Sequence, residues 1–180
     1  GYRPNVHHLL SLIESEEVTL TAAAVTIGVE MVNLLEKHEY KVSSFRGLWL
    51  GGQSIPKAII DKLYYKYDVP VVQGYGATET SPLITFLHVR KDQQPIDENE
   101  NINLRTRQGT LIPGIEMKII DETGKEIAWD DQQMGEIYAR GPWAAAEYLN
   151  DERSATSFID GWWKSGDIAT IDKQGSIRFV

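Results

Sequence analysis

Apolar positions fall first into a helical period. Val6, Leu9, Leu10, Leu12 and Ile13 recur near helical spacing, which predicts a helix over residues 4–15, and Val18-Thr19-Leu20-Thr21 follows as a short β-prone run. The step repeats. Ile27, Met31, Leu34 and Leu35 carry a second helix over residues 26–39, and Phe45-Arg46-Gly47-Leu48-Trp49-Leu50 reads as a buried strand broken by Gly51-Gly52. Pro56 stands where the first turn of a helix needs no backbone N–H, with Ile59, Ile60, Leu63, Tyr64 and Tyr67 on the apolar face. Val69-Pro70-Val71-Val72-Gln73 is then a further strand. Strands alternating with helices predict a parallel sheet covered by helices.

The pattern lapses at His88. From Arg90-Lys91-Asp92 to Asn99-Glu100 the chain is polar and without a usable period, which predicts a surface loop. From Gly109 onward, apolar runs such as residues 115–121 and 136–140 are separated by turn residues at Pro113-Gly114, Glu122-Thr123-Gly124, Met134-Gly135 and Gly141-Pro142. That spacing predicts a β-barrel or small sandwich. The expected organisation is an α/β subdomain over residues 1–87, a linker loop over 88–108, and a β-barrel-like subdomain over 109–180.

Composition narrows the function classes. With 42% hydrophobic residues in 180, the chain can bury a core. The formal charge of −8 is spread along the sequence and offers no basic face for a nucleic acid, so any nucleotide partner is small. The absence of cysteine excludes disulfides, zinc-thiolate sites and thiol catalysis, and is compatible with a cytoplasmic location. No apolar run approaches the roughly 20 residues needed to cross a bilayer, and the first residues lack a signal-peptide pattern. Peripheral membrane contact and oligomeric state stay open. Both ends read as cuts, so a fragment of a longer protein is expected.

Chemistry concentrates where strands run into glycine-rich loops, because ligands sit at the carboxyl ends of parallel strands. Leu48 to Gly52 is one such place and Val71 to Thr80 the other. In the second, Gly74 and Gly76 let the backbone approach a ligand. Tyr75 offers a flat face for a purine, Thr78 a hydroxyl for a phosphate oxygen, and Glu79 a hard oxygen for magnesium. The chain has no phosphate-binding Gly-x-x-x-x-Gly-Lys-Ser/Thr, and Glu79 stands where a dinucleotide fingerprint has glycine. Spacing alone leaves a plain glycine turn as the alternative.

The run Gln73-Gly74-Tyr75-Gly76-Ala77-Thr78-Glu79-Thr80-Ser81-Pro82 resembles the Tyr-Gly-x-Thr-Glu signature of the adenylate-forming superfamily of acyl-CoA synthetases, luciferases and adenylation domains. Gly51-Gly52-Gln53-Ser54-Ile55-Pro56 resembles the Gly-Gly-Ala-x-x-Pro turn of that family. Gly141-Pro142 to Tyr148 and Asp160-Gly161-Trp162-Trp163-Lys164-Ser165-Gly166-Asp167 resemble its later signatures. Order and spacing agree across nearly the whole chain, and several modest motifs in one order are far more specific than any one. Glu126-Ile127-Ala128-Trp129-Asp130, Met134-Gly135-Glu136 and Arg140-Gly141-Pro142-Trp143 look like the branch acting on medium- or long-chain fatty acids. For Trp129 and Trp143 individually, packing is the expected role.

The resemblance implies the large N-terminal domain of a ligase that joins a fatty acid to coenzyme A at the expense of ATP, with Mg2+, through an acyl-adenylate. It implies that Tyr75 stacks on adenine within Gly74, Gly76 and Ala77, that Gly51, Gly52 and Gln53 line the purine and acyl pockets, and that Thr78 binds the α-phosphate. Glu79 would hold the magnesium and Asp167 the ribose hydroxyls, with Thr78 and Glu79 the residues closest to the chemistry. No acid–base role is expected of His7, His8, His38 or His88, since a carboxylate nucleophile is already an anion at neutral pH.

Against the family pattern, the phosphate loop, the hinge and the small C-terminal domain with its lysine are missing, so the chain by itself is expected to be inactive. Val25 replaces a usual proline and Glu147 a usual glycine. An aryl-CoA ligase, another adenylate-forming ligase, or a non-catalytic nucleotide-binding homologue are the alternatives.

Overall fold

The computed structural model describes residues 5–87 and 97–180. They form two compact units, the first from the described residues of Gly1–Gln73 and Val89–Thr106, the second from those of Gly74–His88 and Arg107–Val180. Residues 88–96, which include His88 and most of the predicted surface loop, lie outside the described residues. No described helix is long and apolar enough to cross a membrane.

In the first unit, α1 (Val6–Ser15) starts where Asn5 caps it, its side chain accepting from the His8 amide over 3.2 Å. Val6, Leu10 and Ile13 form its buried face. Strand β1 (Leu20–Ala24) leads directly into α2 (Val25–Leu35), which buries Val25, Met31 and Val32. Val25 is the first helical residue, a position proline also fits because its missing N–H has no intrahelical acceptor, so the departure from the family proline leaves the helix start in place. Strands β1, β2 (Gly47–Gly51) and the first part of β3 (Val71–Tyr75) pair in parallel, with Ala22 opposite Trp49 and Trp49 opposite Val72. Leu48, Leu50, Ile60 and Leu63 are fully buried, each contributing about 1.5–3 kcal/mol of transfer free energy.

Pro56 is the N-cap residue of α3 (Lys57–Asp61), one position earlier than the sequence pattern predicts, and the helix continues as a wide π turn over Lys62–Lys66. The Arg105 guanidinium lies 3.8 Å from the centre of the Tyr64 ring on that turn. Arg105 belongs to α4 (Glu98–Arg105), a helix inside the span predicted as linker loop. The helix is invisible to periodicity because Ile102 is its one buried apolar residue. Its signals are local instead: Asp97 accepts from the Glu100 amide at 2.8 Å, acids occupy the first turn and Arg105 the last, in the order the helix dipole favours.

The second unit is an antiparallel sheet. The end of β3 pairs with β4 (Thr85–Phe86), then follow β5 (Gly109–Leu111), β10 (Ser176–Phe179), β9 (Trp162–Ile171), β7 (Gly135–Arg140) and β6 (Glu116–Ile120). A one-turn helix, α5 (Ser154–Ser157), precedes β8 (Phe158–Ile159), which pairs with β9. Ile84, Ile137, Ala139, Ala169 and Ile177 form the solvent-free centre of its core. The β-rich character matches the sequence pattern, but the predicted barrel does not: the sheet stays open. At the end of β6 the chain folds back on the strand's outer edge, with Asp121 N–H donating to Lys125 and Ile127 N–H to Ile119, so a return segment occupies part of the edge where a closing strand would pair.

Buried Arg107 anchors this unit. Its guanidinium forks onto both oxygens of Asp131 at 2.9 and 2.8 Å and donates to the Ser176 carbonyl at 2.6 Å. The Asp131 carboxyl is held below its usual range chiefly by that guanidinium.

Candidate functional site

The loop after β3 is shaped by its own backbone. A Cβ on Gly76 would fall inside the van der Waals envelope of the Pro82 carbonyl oxygen, so no side chain fits there. Sequence patterning assigns that glycine to ligand approach; the structure shows that chain packing already requires it. Thr80 is fully buried, and its hydroxyl accepts from the Ala77 amide at 3.0 Å and donates to the Ala77 carbonyl at 3.1 Å. This closes a single 3-10 turn, Thr78–Thr80, with Ser81 left-handed at φ 46°. Gly74 pairs with Phe86 at the loop's base, Thr78 is exposed, and Glu79 is half-buried.

Tyr75 and Asp167 meet directly, the phenol donating to Oδ2 over 2.8 Å. The Tyr75 ring is buried, edge-on to Phe179 at 4.8 Å. Burial raises the phenol's pKa above its ordinary value; the Ser165 hydroxyl pulls it down and the Asp167 carboxylate adds to the rise. Asp167 itself is exposed, on a bulge. Strands β7 and β9 pair with Glu136 opposite Ile168, then resume with Tyr138 opposite Lys164, so Ser165-Gly166-Asp167 protrudes. Gly166 takes φ 78° and donates to Glu136 at 3.0 Å, and the Asp167 amide donates to Ser165 Oγ at 3.0 Å. The bulge therefore fixes where the carboxylate points.

Glu79 is held from a different segment. The Tyr148 hydroxyl donates to its Oε1 at 2.6 Å, and the Ala145 amide donates to its main-chain carbonyl at 2.6 Å. That bond raises the Tyr148 pKa above its ordinary value, with burial adding to the rise and a Trp163 hydrogen bond opposing it. Sequence patterning treats Tyr148 only as a motif landmark; a contact between residues 69 positions apart has no local signal. Glu147 does not adopt a positive φ, so the departure from the family glycine strains nothing. Trp143 packs over Gly114 as expected for a packing residue, whereas Trp129 is 51% exposed and lies over Gly175.

Gly51, Gly52 and Gln53 belong to the first unit, at the end of β2. Gly52 has φ 86° with open space around it, and Ile55 anchors the turn in the core. His7, His38 and Tyr40 form an aromatic cluster in the same unit, with His7 Nδ1 2.7 Å from the Tyr40 hydroxyl.

Among the described residues no group of three or more His, Cys, Asp or Glu could hold a metal. One half-buried carboxylate fits magnesium in the mode where protein supplies one or two carboxylates and phosphate and water supply the rest. An exposed carboxylate on a rigid bulge fits a pair of adjacent hydroxyls.

The chain belongs to the family of AMP-binding enzymes, which it matches over residues 2–149. It is 31% identical to a long-chain-fatty-acid–CoA ligase of Thermus thermophilus, over 99% of this chain and 33% of that protein. It is 33% identical to 4-coumarate–CoA ligase 1 of Glycine max, over 98% of this chain and 59% of that protein. The o-succinylbenzoate CoA synthetase of Bacillus subtilis, solved with ATP and magnesium ion, superposes with a TM-score of 0.77 at 26% identity, over 98% of this chain and 34% of that one. The fold is thus that of adenylate-forming enzymes, and the chain spans only part of each of these relatives.

Proposed function

We propose that this chain is part of the large domain of an ATP-dependent acid–thiol ligase, acting in the cytoplasm on a fatty acid. The observation that carries the proposal is the Gly74–Thr80 segment, with Tyr75 bonded to Asp167 at one end and Glu79 bonded to Tyr148 at the other. Asp167 accepts from the ribose hydroxyls with the oxygen that Tyr75 leaves unused. Tyr75, being buried, is a wall for the purine and not a projecting plate, with Gly74, Gly76 and Ala77 beside it.

In the first step the fatty carboxylate attacks the α-phosphorus of ATP, giving acyl-adenylate and pyrophosphate. Thr78 donates to an α-phosphate oxygen as negative charge builds there, and Glu79 would hold a magnesium ion, which would supply neutralisation of the phosphate charge. In the second step the sulfur of coenzyme A attacks the acyl carbon, the acyl–phosphate C–O bond breaks and AMP leaves, and the thiol proton passes to solvent. The first step needs no general base, because its carboxylate nucleophile is already an anion, so catalysis there rests on positioning and charge.

The likeness to the Glycine max ligase favours a second reading, an aryl acid as substrate. Pyrophosphate release by the full-length protein, assayed with fatty acids, 4-coumarate and o-succinylbenzoate, separates the two. Fatty acids should give the highest kcat/KM, and Glu79→Ala should lower kcat by about 100-fold or more. Preference for an aromatic acid would replace the fatty acid by an aryl one, and no release with any acid would mean a non-catalytic homologue.

A further inference from the structure

The hydrogen bond from Tyr148 to Glu79 does more than pair a half-buried phenol. Its 2.6 Å length is that of a charge-assisted O–H···O bond, and it occupies Oε1 of a carboxylate whose main-chain carbonyl is gripped by Ala145. Tyr148 is itself held by several contacts. Its amide donates to Ser154 Oγ at 2.8 Å and its carbonyl accepts from the same hydroxyl at 3.0 Å. Its ring stands edge-on to Phe158 at 5.2 Å, with the Arg153 guanidinium 5.3 Å from its centre. Arg153 in turn pairs with Asp151, whose carboxyl it lowers to about 2. A segment so braced holds the Glu79 carboxylate in one rotamer.

We infer that Tyr148 is a positioning residue: by donating to Oε1 of Glu79 it would orient the carboxylate so that Oε2 is the oxygen offered first to a metal, a bias toward single-oxygen binding that favours magnesium over calcium. The inference rests on Glu79 facing the metal, as proposed above. Magnesium takes single oxygens in a tight octahedron at about 2.0–2.1 Å, whereas calcium accepts both oxygens of one carboxylate at longer distances. A Glu79 whose Oε1 already accepts from the phenol would suit the first better than the symmetric chelate of the second. Without the phenol, the two oxygens would become equivalent and the side chain would regain rotamers whose ordering costs free energy on metal binding.

The test is Tyr148→Phe in the full-length protein, which keeps the ring on Phe158 and under Arg153 but removes the hydroxyl. Divalent-ion binding is measured by Mn2+ electron paramagnetic resonance with a non-hydrolysable ATP analogue, with Mg2+ and Ca2+ as competitors. The expected result is Mg2+ affinity lower by about tenfold, the scale of lost outer-shell partners, with Ca2+ affinity unchanged or higher. Ser154→Ala, which loosens the segment but leaves the phenol in place, should shift the Mg2+ to Ca2+ ratio much less. An unchanged ratio in Tyr148→Phe, an equal change in Ser154→Ala, or no metal binding by the wild type would each overturn the inference. Because binding is read with an analogue, absence of pyrophosphate release would count against the proposed reaction and leave this result to stand by itself.

Discussion

The Tyr75 hydroxyl and Oδ2 of Asp167 lie 2.8 Å apart across 92 positions of sequence. One is the last residue of β3 and the other sits on the β9 bulge, so the bond ties a loop to the bulge that the Gly166 backbone conformation permits. Removing the hydroxyl while keeping the ring isolates this bond from packing. Tyr75→Phe should cost about 1.5–3 kcal/mol, the range for a hydrogen bond to a charged group, as read by denaturant titration. In the full-length protein it should also raise the KM for ATP, because Asp167 loses the partner that orients it.

The same phenol sets a pH dependence. Its folded pKa lies above the ordinary value of about 10, so above that pH the unfolded chain releases a proton that the folded chain retains. The stabilisation is present in full below about pH 10 and is lost as pH rises from there through the folded pKa. Thermal melts from pH 8 to 11 should show a decline that is shallower in Tyr75→Phe.

Two glycines in the site should respond very differently to alanine. At Gly76 the Cβ has nowhere to go but the Pro82 backbone, which belongs to the same tight loop, so Gly76→Ala should cost about 3 kcal/mol or more. At Gly166 a Cβ meets nothing within 4 Å, and the cost is that of φ 78° alone, about 1–2 kcal/mol. Equal losses in the two variants would contradict the close approach.

Arg107 should behave as a structural charge. Arg107→Met removes the buried guanidinium from Asp131 and should cost about 3 kcal/mol, the lower end for breaking a buried pair, since Asp131 is partly exposed. Asp131 has its folded pKa depressed, so its contribution is present above the unfolded value of about 4 and is lost as pH falls through the folded pKa. Acid melts of Arg107→Met should therefore lose stability over a narrower range than the wild type.

Much of this was legible in the chain itself. The helical runs around Leu10, Met31 and Ile60, the buried strand at Leu48 and Leu50, and the ordered glycine, threonine and carboxylate motifs all follow from local periodicity and spacing, which a side-chain pattern records directly. Helix α4 escaped because its stability comes from the Asp97 cap, the charge order and one buried residue, none of which makes a hydrophobic period. The barrel did not close, and the end of the β6 edge is taken by its own return segment, a pairing that turn residues announce but do not locate. That Gly76 is required by the Pro82 backbone, and which tyrosine holds each acid, were decided only in the folded chain. The tyrosine–acid pairs join residues 69 and 92 positions apart, and a sequence read in one dimension carries no distance between them.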